Sequence, residues 1–123
     1  MPHLKTILVI EDDENLLKNI SIVLELYGFT VLKAASGLAG VQQAITNLPN
    51  LIICDVMMEG MNGFEVIAQI RNNPITQTIP FIFLTAWADV THKLKGIQAG
   101  AQAYLTKPFI VKDLVNTITT FIG

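Results

Sequence analysis

The chain predicts an α/β fold: a doubly wound parallel sheet of five strands in the order 2-1-3-4-5, with five helices. Two observations carry this. Five short apolar runs alternate with five segments of helical apolar spacing, strand then helix throughout. Two of those runs, Leu51 to Cys54 and Phe81 to Leu84, are apolar at every position, as strands buried on both faces of a parallel sheet must be. Right-handed crossovers between βα units then leave few topologies, and the order 2-1-3-4-5 sets the ends of strands 1 and 3 side by side.

The first strand is Ile7 to Ile10, running into Glu11, Asp12 and Asp13. Leu16, Ile20, Val23, Leu24 and Tyr27 mark the first helix, which stops at Gly28. The second strand, Val31 to Leu32, leads only to small residues. Its helix carries Leu38, Val41, Ala44, Ile45 and Leu48, with Gly37 near the start and Asn47 and Pro49 at the stop. Strand 3, Leu51 to Cys54, ends in Asp55. The next helix begins near Gly63, is apolar at Phe64, Ile67, Ala68 and Arg71's stem, and stops at Asn73 and Pro74. Strand 4, Phe81 to Leu84, ends in Thr85, and a helix with Val90, Leu94, Ile97 and Ala99 follows up to Gly100. Strand 5, Tyr104 to Thr106, ends in Lys107 and Pro108. Val111, Leu114, Val115, Ile118 and Ile122 mark the last helix, after which no output domain is expected in this chain.

Composition narrows the function. With 123 residues, 51% hydrophobic and 15% charged, one domain over residues 1–123 with a real core is expected. A net charge of -2 and scattered basic residues exclude a field for holding nucleic acid directly. No apolar stretch is as long as a bilayer span, and the start has no signal-peptide layout, so a cytoplasmic protein without membrane contact is expected. The single cysteine, Cys54, lies in the most apolar run and reads as a small buried hydrophobe. His3 and His92 read as isolated surface residues.

The strand ends carry the chemistry. Adjacent strands lie about 5 Å apart, so two ionised carboxylates at the ends of strands 1 and 3 repel by roughly 3 kcal/mol at an effective dielectric of ~20. Glu11 worsens this. A raised carboxyl pKa is one remedy, and a hard divalent cation such as Mg²⁺ is the better one, since it also lets an anionic phosphate approach. Asp55, at the end of the most buried strand, is the best-placed nucleophile for an aspartyl phosphate. Lys107 and Thr85 supply an ammonium and a hydroxyl for the phosphoryl oxygens. Singly, each has a bland reading: helix capping for the acids and Thr85, a turn for Asp55, a surface lysine before a helix-starting proline. Their conjunction at neighbouring strand ends in a chain poor in charge favours a phosphoryl site.

The segments ILVIEDDENL, LIICDVMMEGMNGFE, FIFLTAWA and AGAQAYLTKPF, in that order, resemble the receiver domains of two-component response regulators, a CheY-like, flavodoxin-like fold, over essentially the whole chain. The resemblance implies that Asp55 accepts a phosphoryl group from a sensor histidine kinase or phosphotransfer protein. It implies Mg²⁺ held by Glu11, Asp12, Asp55 and the Met57 backbone carbonyl. Thr85 and Lys107 would bind the phosphoryl group, Thr85 and Tyr104 would act as the switch, and the bond before Pro108 would be cis. On phosphorylation Thr85 moves to the phosphate, the Tyr104 ring turns into the vacated space, and the face of helix 4, strand 5 and helix 5 changes for a downstream partner protein or domain.

Departures from the family pattern modify the expectation. Glu59 stands where a proline is usual, adding negative charge near the site and freeing the loop's backbone, which bears on metal affinity and kinase docking. Met57 and Trp87 flank the phosphate position without an acid or amide to orient water, so they are expected to shield an acyl phosphate. Trp87 packed on helix 4 is the alternative. Gln102, Ala103 and Thr117 replace the charged residues of a common receiver dimer, so a monomer or weak dimer is expected. Three other functions compete: a phosphorylation-independent binding module, an aspartyl-phosphate phosphatase using Glu11 and Asp13, and a flavin carrier. The four acids from Glu11 to Glu14 disfavour a flavin phosphate there, and no cap domain is present to enclose a phosphatase substrate.

Overall fold

A computed structural model describes residues 5–122; His3 and Gly123 lie outside them. The elements in chain order are β1 (Thr6–Ile10), α1 (Glu14–Leu26), β2 (Thr30–Ala34), α2 (Gly37–Asn47), β3 (Leu51–Cys54), α3 (Gly63–Asn72), β4 (Phe81–Thr85), α4 (Val90–Gln98), β5 (Ala103–Thr106) and α5 (Val111–Ile122). The sheet order is β2-β1-β3-β4-β5, every pairing parallel. The expected fold class is the observed one. β2 is longer than the run Val31–Leu32, because Thr30 and Lys33 join the ladder opposite Thr6 and Val9 although their side chains are exposed.

The period-2 alternation of the strands sorts two cores. Ile7, Val9, Leu51, Ile53, Ile82 and Leu84 face α1 and α5, packing on Leu17, Ile20, Leu24, Leu114 and Ile118. Leu8, Ile10, Ile52, Cys54, Phe81 and Phe83 face the other layer, with Val41, Ala44, Val66, Ile67 and Ile70. Each such side chain taken fully from water contributes about 1.5–3 kcal/mol.

Two helices meet the sheet differently from their apolar spacing. In α2 the buried residues are Gly37, Gly40, Val41 and Ala44, whereas Leu38, Ile45 and Leu48 are exposed. The reason is close approach: a Cβ at Gly37 would lie 2.7 Å from the Met61 carbonyl, and one at Gly40 would run into Ile10. In α4 only Gly96 is buried, and Val90, Leu94 and Ile97 are exposed. Gly96 is the seat because a Cβ there would meet Tyr104 and Phe83 at about 3 Å. In α3 the inward face is Gly63, Val66, Ile67 and Ile70, and Ala68 points out.

Side chains set the ends. Asp13 caps α1, Ser36 caps α2, Asn62 and Glu65 form a capping box at α3, and Asp89 caps α4. Gly28 and Gly100 take the positive φ that the chain needs on leaving α1 and α4. Arg71 ties the far end of the molecule, donating to the carbonyls of Gln77, Ile79 and Gly100 and to Gln102 Oε1. Gln102 Oε1 also accepts from Phe81 N at 2.7 Å, so this residue is spent on the sheet edge.

Candidate functional site

The carboxyl ends of β1, β3, β4 and β5 place Glu11, Asp55, Thr85 and Lys107 along one edge of the sheet. Lys107 Nζ lies 2.8 Å from Asp55 Oδ2 and 2.9 Å from Glu11 Oε1, joining β5 to β3 and β1. All three are withdrawn from solvent: the side chains of Glu11, Asp55 and Lys107 are 4%, 9% and 19% exposed. The Lys107–Pro108 peptide is cis.

Burial dominates the electrostatics. Desolvation raises the Glu11 pKa, the Asp55 charge adds to that, and the bonds to Lys107 and Asp13 N oppose it. For Lys107, burial pulls the pKa down, but the bonds to Asp55 and Glu11 outweigh it and the net shift is upward, so the ammonium form is held. Burial pushes the Cys54 thiol well up, helped by Asp55 and Glu11, which leaves it an inert neighbour.

The loop after β3 closes the other side. Met57 N donates to Asp55 Oδ1 at 3.2 Å, and Glu59 N donates to Asp12 Oδ2 at 3.2 Å. A proline at position 59 would have no N–H for that bond. Asp12 is therefore exposed and tied to the loop. Among the described residues no group of three or more His, Cys, Asp or Glu stands ready to hold a metal ion. The Lys107 ammonium takes the place between Glu11 and Asp55. The donor chemistry suits Mg²⁺, because Glu11, Asp12 and Asp55 bring three carboxyl groups, hard oxygen donors, against the single ammonium of Lys107.

Thr85 is fully buried, and its Oγ1 accepts a hydrogen bond from Trp87 N at 3.3 Å. Tyr104 is 5% exposed, and its hydroxyl donates to the Trp87 carbonyl at 2.6 Å. Its pKa is raised by burial and by the charges of Asp89 and Asp55. The ring thus lies inside the fold against Phe83, their centroids 5.8 Å apart. Asp12, Met57, Glu59, Asn62, Phe64 and Trp87 line an open pocket of about 410 Å³ beside the site, with Val56 and Met58. Trp87 both lines this pocket and packs on α4. Asp13, a candidate acid for phosphatase chemistry, spends Oδ1 on Asn15 N and Leu16 N as the α1 cap.

His92 is not an isolated surface residue. It stands 4.0 Å from the Trp87 ring and stacks on Phe64, with Nδ1 on the Asp89 carboxylate. The sequence signal was the spacing of Asp89 and His92, three residues apart at a helix start.

The chain is similar to known proteins over nearly its whole length. Residues 7–119 match the model of the response regulator receiver domain. Protein PilH of Pseudomonas aeruginosa is 34% identical over 117 residues, spanning 95% of this chain and 97% of PilH. The DNA-binding dual master transcriptional regulator RpaA of Synechocystis is 37% identical over 112 residues, 91% of this chain and 46% of RpaA. The chain spans about half the length of several such relatives. The solved receiver domain of the sensor histidine kinase PA1611 of Pseudomonas aeruginosa, with magnesium coordinated in its active-site cleft, superposes with a TM-score of 0.91 at 28% identity, covering 98% of this chain and 99% of that one. With its sheet order, its cleft and a family match over nearly its whole length, the chain belongs to the response regulator receiver domains of two-component systems.

Proposed function

We propose that Asp55 takes a phosphoryl group from a sensor histidine kinase or phosphotransfer protein, and that the chain thereby acts as a signalling switch without catalytic turnover of its own. The observation that carries this is the Lys107 ammonium bridging Asp55 and Glu11 at the sheet edge. An Asp55 oxygen attacks phosphorus, a P–O bond forms, the P–N bond of the donor phosphohistidine breaks, and the imidazole leaves with its electron pair. Lys107 donates to one phosphoryl oxygen and the Thr85 hydroxyl to another, since Thr85 Oγ1 only accepts from Trp87 N and keeps its own hydrogen to give. Glu11, Asp12, Asp55 and the Met57 carbonyl would hold Mg²⁺, which when bound neutralises charge on the phosphoryl oxygens. Glu59 and Trp87 modulate the site, Glu59 by fixing Asp12 and Trp87 by screening the pocket from water.

The phosphorylated chain then presents a downstream protein partner with the face of α4, β5 and α5. No described helix is long and apolar enough to cross a membrane. Cytoplasmic action as a monomer or weak dimer is the setting we assign. Intact mass after incubation with acetyl phosphate and Mg²⁺ tests the chemistry. One added phosphoryl group is expected, absent in Asp55→Asn and in a chelated sample. No added mass, and no change in Trp87 fluorescence with beryllofluoride, would leave a phosphorylation-independent binding module.

A further inference from the structure

Trp87 is a junction. Its N–H donates to Thr85 Oγ1, its carbonyl accepts from the Tyr104 hydroxyl at 2.6 Å, and its ring meets His92 with centroids 4.0 Å apart. His92 is itself held on two sides. Asp89, the N-cap of α4, accepts from the His92 backbone N and binds Nδ1 at 2.6 Å, which fixes the ring's tilt. Phe64 of α3 stacks on the imidazole with 15° between planes and a 6.2 Å centroid separation. The imidazole is only partly exposed, so this contact is desolvated enough to matter.

We propose that His92 is a positioning residue: oriented by Asp89, stacked on Phe64 and in tilted contact with Trp87, it fixes the Trp87 segment so that its carbonyl holds Tyr104 inside the fold before any phosphorylation. The segment Ala86 to Ala88 lies outside helix and strand, so its course depends on these side-chain contacts. Without the stack, the Trp87 carbonyl is free to move and the Tyr104 hydroxyl loses a fixed acceptor. The inward state of Tyr104 is then populated by the clasp, and phosphorylation has less of the equilibrium left to shift.

Asp89 binds the imidazole, and Lys95 Nζ sits 4.5 Å from the centroid of the Phe64 ring that stacks on it.

The inference rests on reading Tyr104 as the switch, and its test needs no phosphodonor, so a failure of phosphorylation at Asp55 would not disturb it. The chain has two tyrosines, so the probe is assignable. In 3-fluorotyrosine-labelled protein, the ¹⁹F resonance lost in Tyr104→Phe reports the switch, and that of exposed Tyr27 gives the solvent reference. His92→Ala is expected to move the Tyr104 resonance toward Tyr27, its inward-to-outward ratio falling about two- to tenfold, the range an aromatic stack supports. His92→Phe, which keeps a ring against Trp87 and Phe64, should restore most of the native position. An unmoved Tyr104 resonance in folded His92→Ala, or a Phe variant no better than Ala, would overturn the assignment.

Discussion

Glu11 shows how one buried acid trades stability for chemistry. Its pKa is raised in the folded chain, chiefly by burial and then by Asp55, so the folded state binds its proton more tightly than the unfolded state does. The contribution from this group is therefore fully present below the ordinary carboxylate pKa and is lost as pH rises through the folded value. At neutral pH the ionised Glu11 is a net burden that Lys107 only partly offsets. Glu11→Gln, whose amide oxygen still accepts from Lys107, is expected to raise the urea midpoint at about pH 7.5 and to lose most of that gain near pH ~4. An equal gain at both pH values would place the effect in packing. The acid, Asp55, Thr85 and Lys107 were all legible as residue types at strand ends. The ammonium between two carboxylates was not, because which oppositely charged groups touch depends on side-chain reach across three strands. Glu59 is a similar case: its role here lies in a backbone N–H.

The elements divide by how they approach the sheet. α5 buries Leu114 and Ile118, which its periodicity marks, and α1 buries the marked Ile20 and Leu24 together with the unmarked Leu17, leaving Tyr27 exposed. α2 instead comes close on glycines, and its large apolar residues turn outward. Gly40→Ala is expected to destabilise the chain by about 1–3 kcal/mol, since the added methyl must displace Ile10 from a packed layer. Chemical denaturation checks this, with Gly28→Ala a poor substitute control because Gly28 has open space but positive φ. α4 follows the same rule through Gly96. Hydrophobic spacing alone does not distinguish a stripe of leucines facing the core from one facing away, because small residues carry little signal and yet allow the nearest contact.

Across the whole molecule, the site is the place where four strands end and where charge is least balanced. A ligand that binds the folded chain alone stabilises it by RT ln(1 + [L]/Kd), about 2.7 kcal/mol at a hundredfold excess over Kd. Mg²⁺ is therefore expected to raise the thermal midpoint in a concentration-dependent way. The rise should disappear with chelator and shrink in Asp12→Asn, whereas an equal rise in that variant would assign the effect to nonspecific ionic strength. The relatives of about twice this length show the same receiver unit joined to further sequence, and PilH shows it at nearly this length. The sequence by itself determined the alternation of strands and helices, the sheet order and the row of chemical groups along one edge. Those follow from local periodicity and from the handedness of βα crossovers, which act on every chain of this pattern. Only the tertiary structure decided which helix faces are buried, where Lys107 lands between Glu11 and Asp55, and that His92 clasps Trp87. These depend on distances between elements far apart in the chain, and a single glycine or a turn of one ring is enough to reset them.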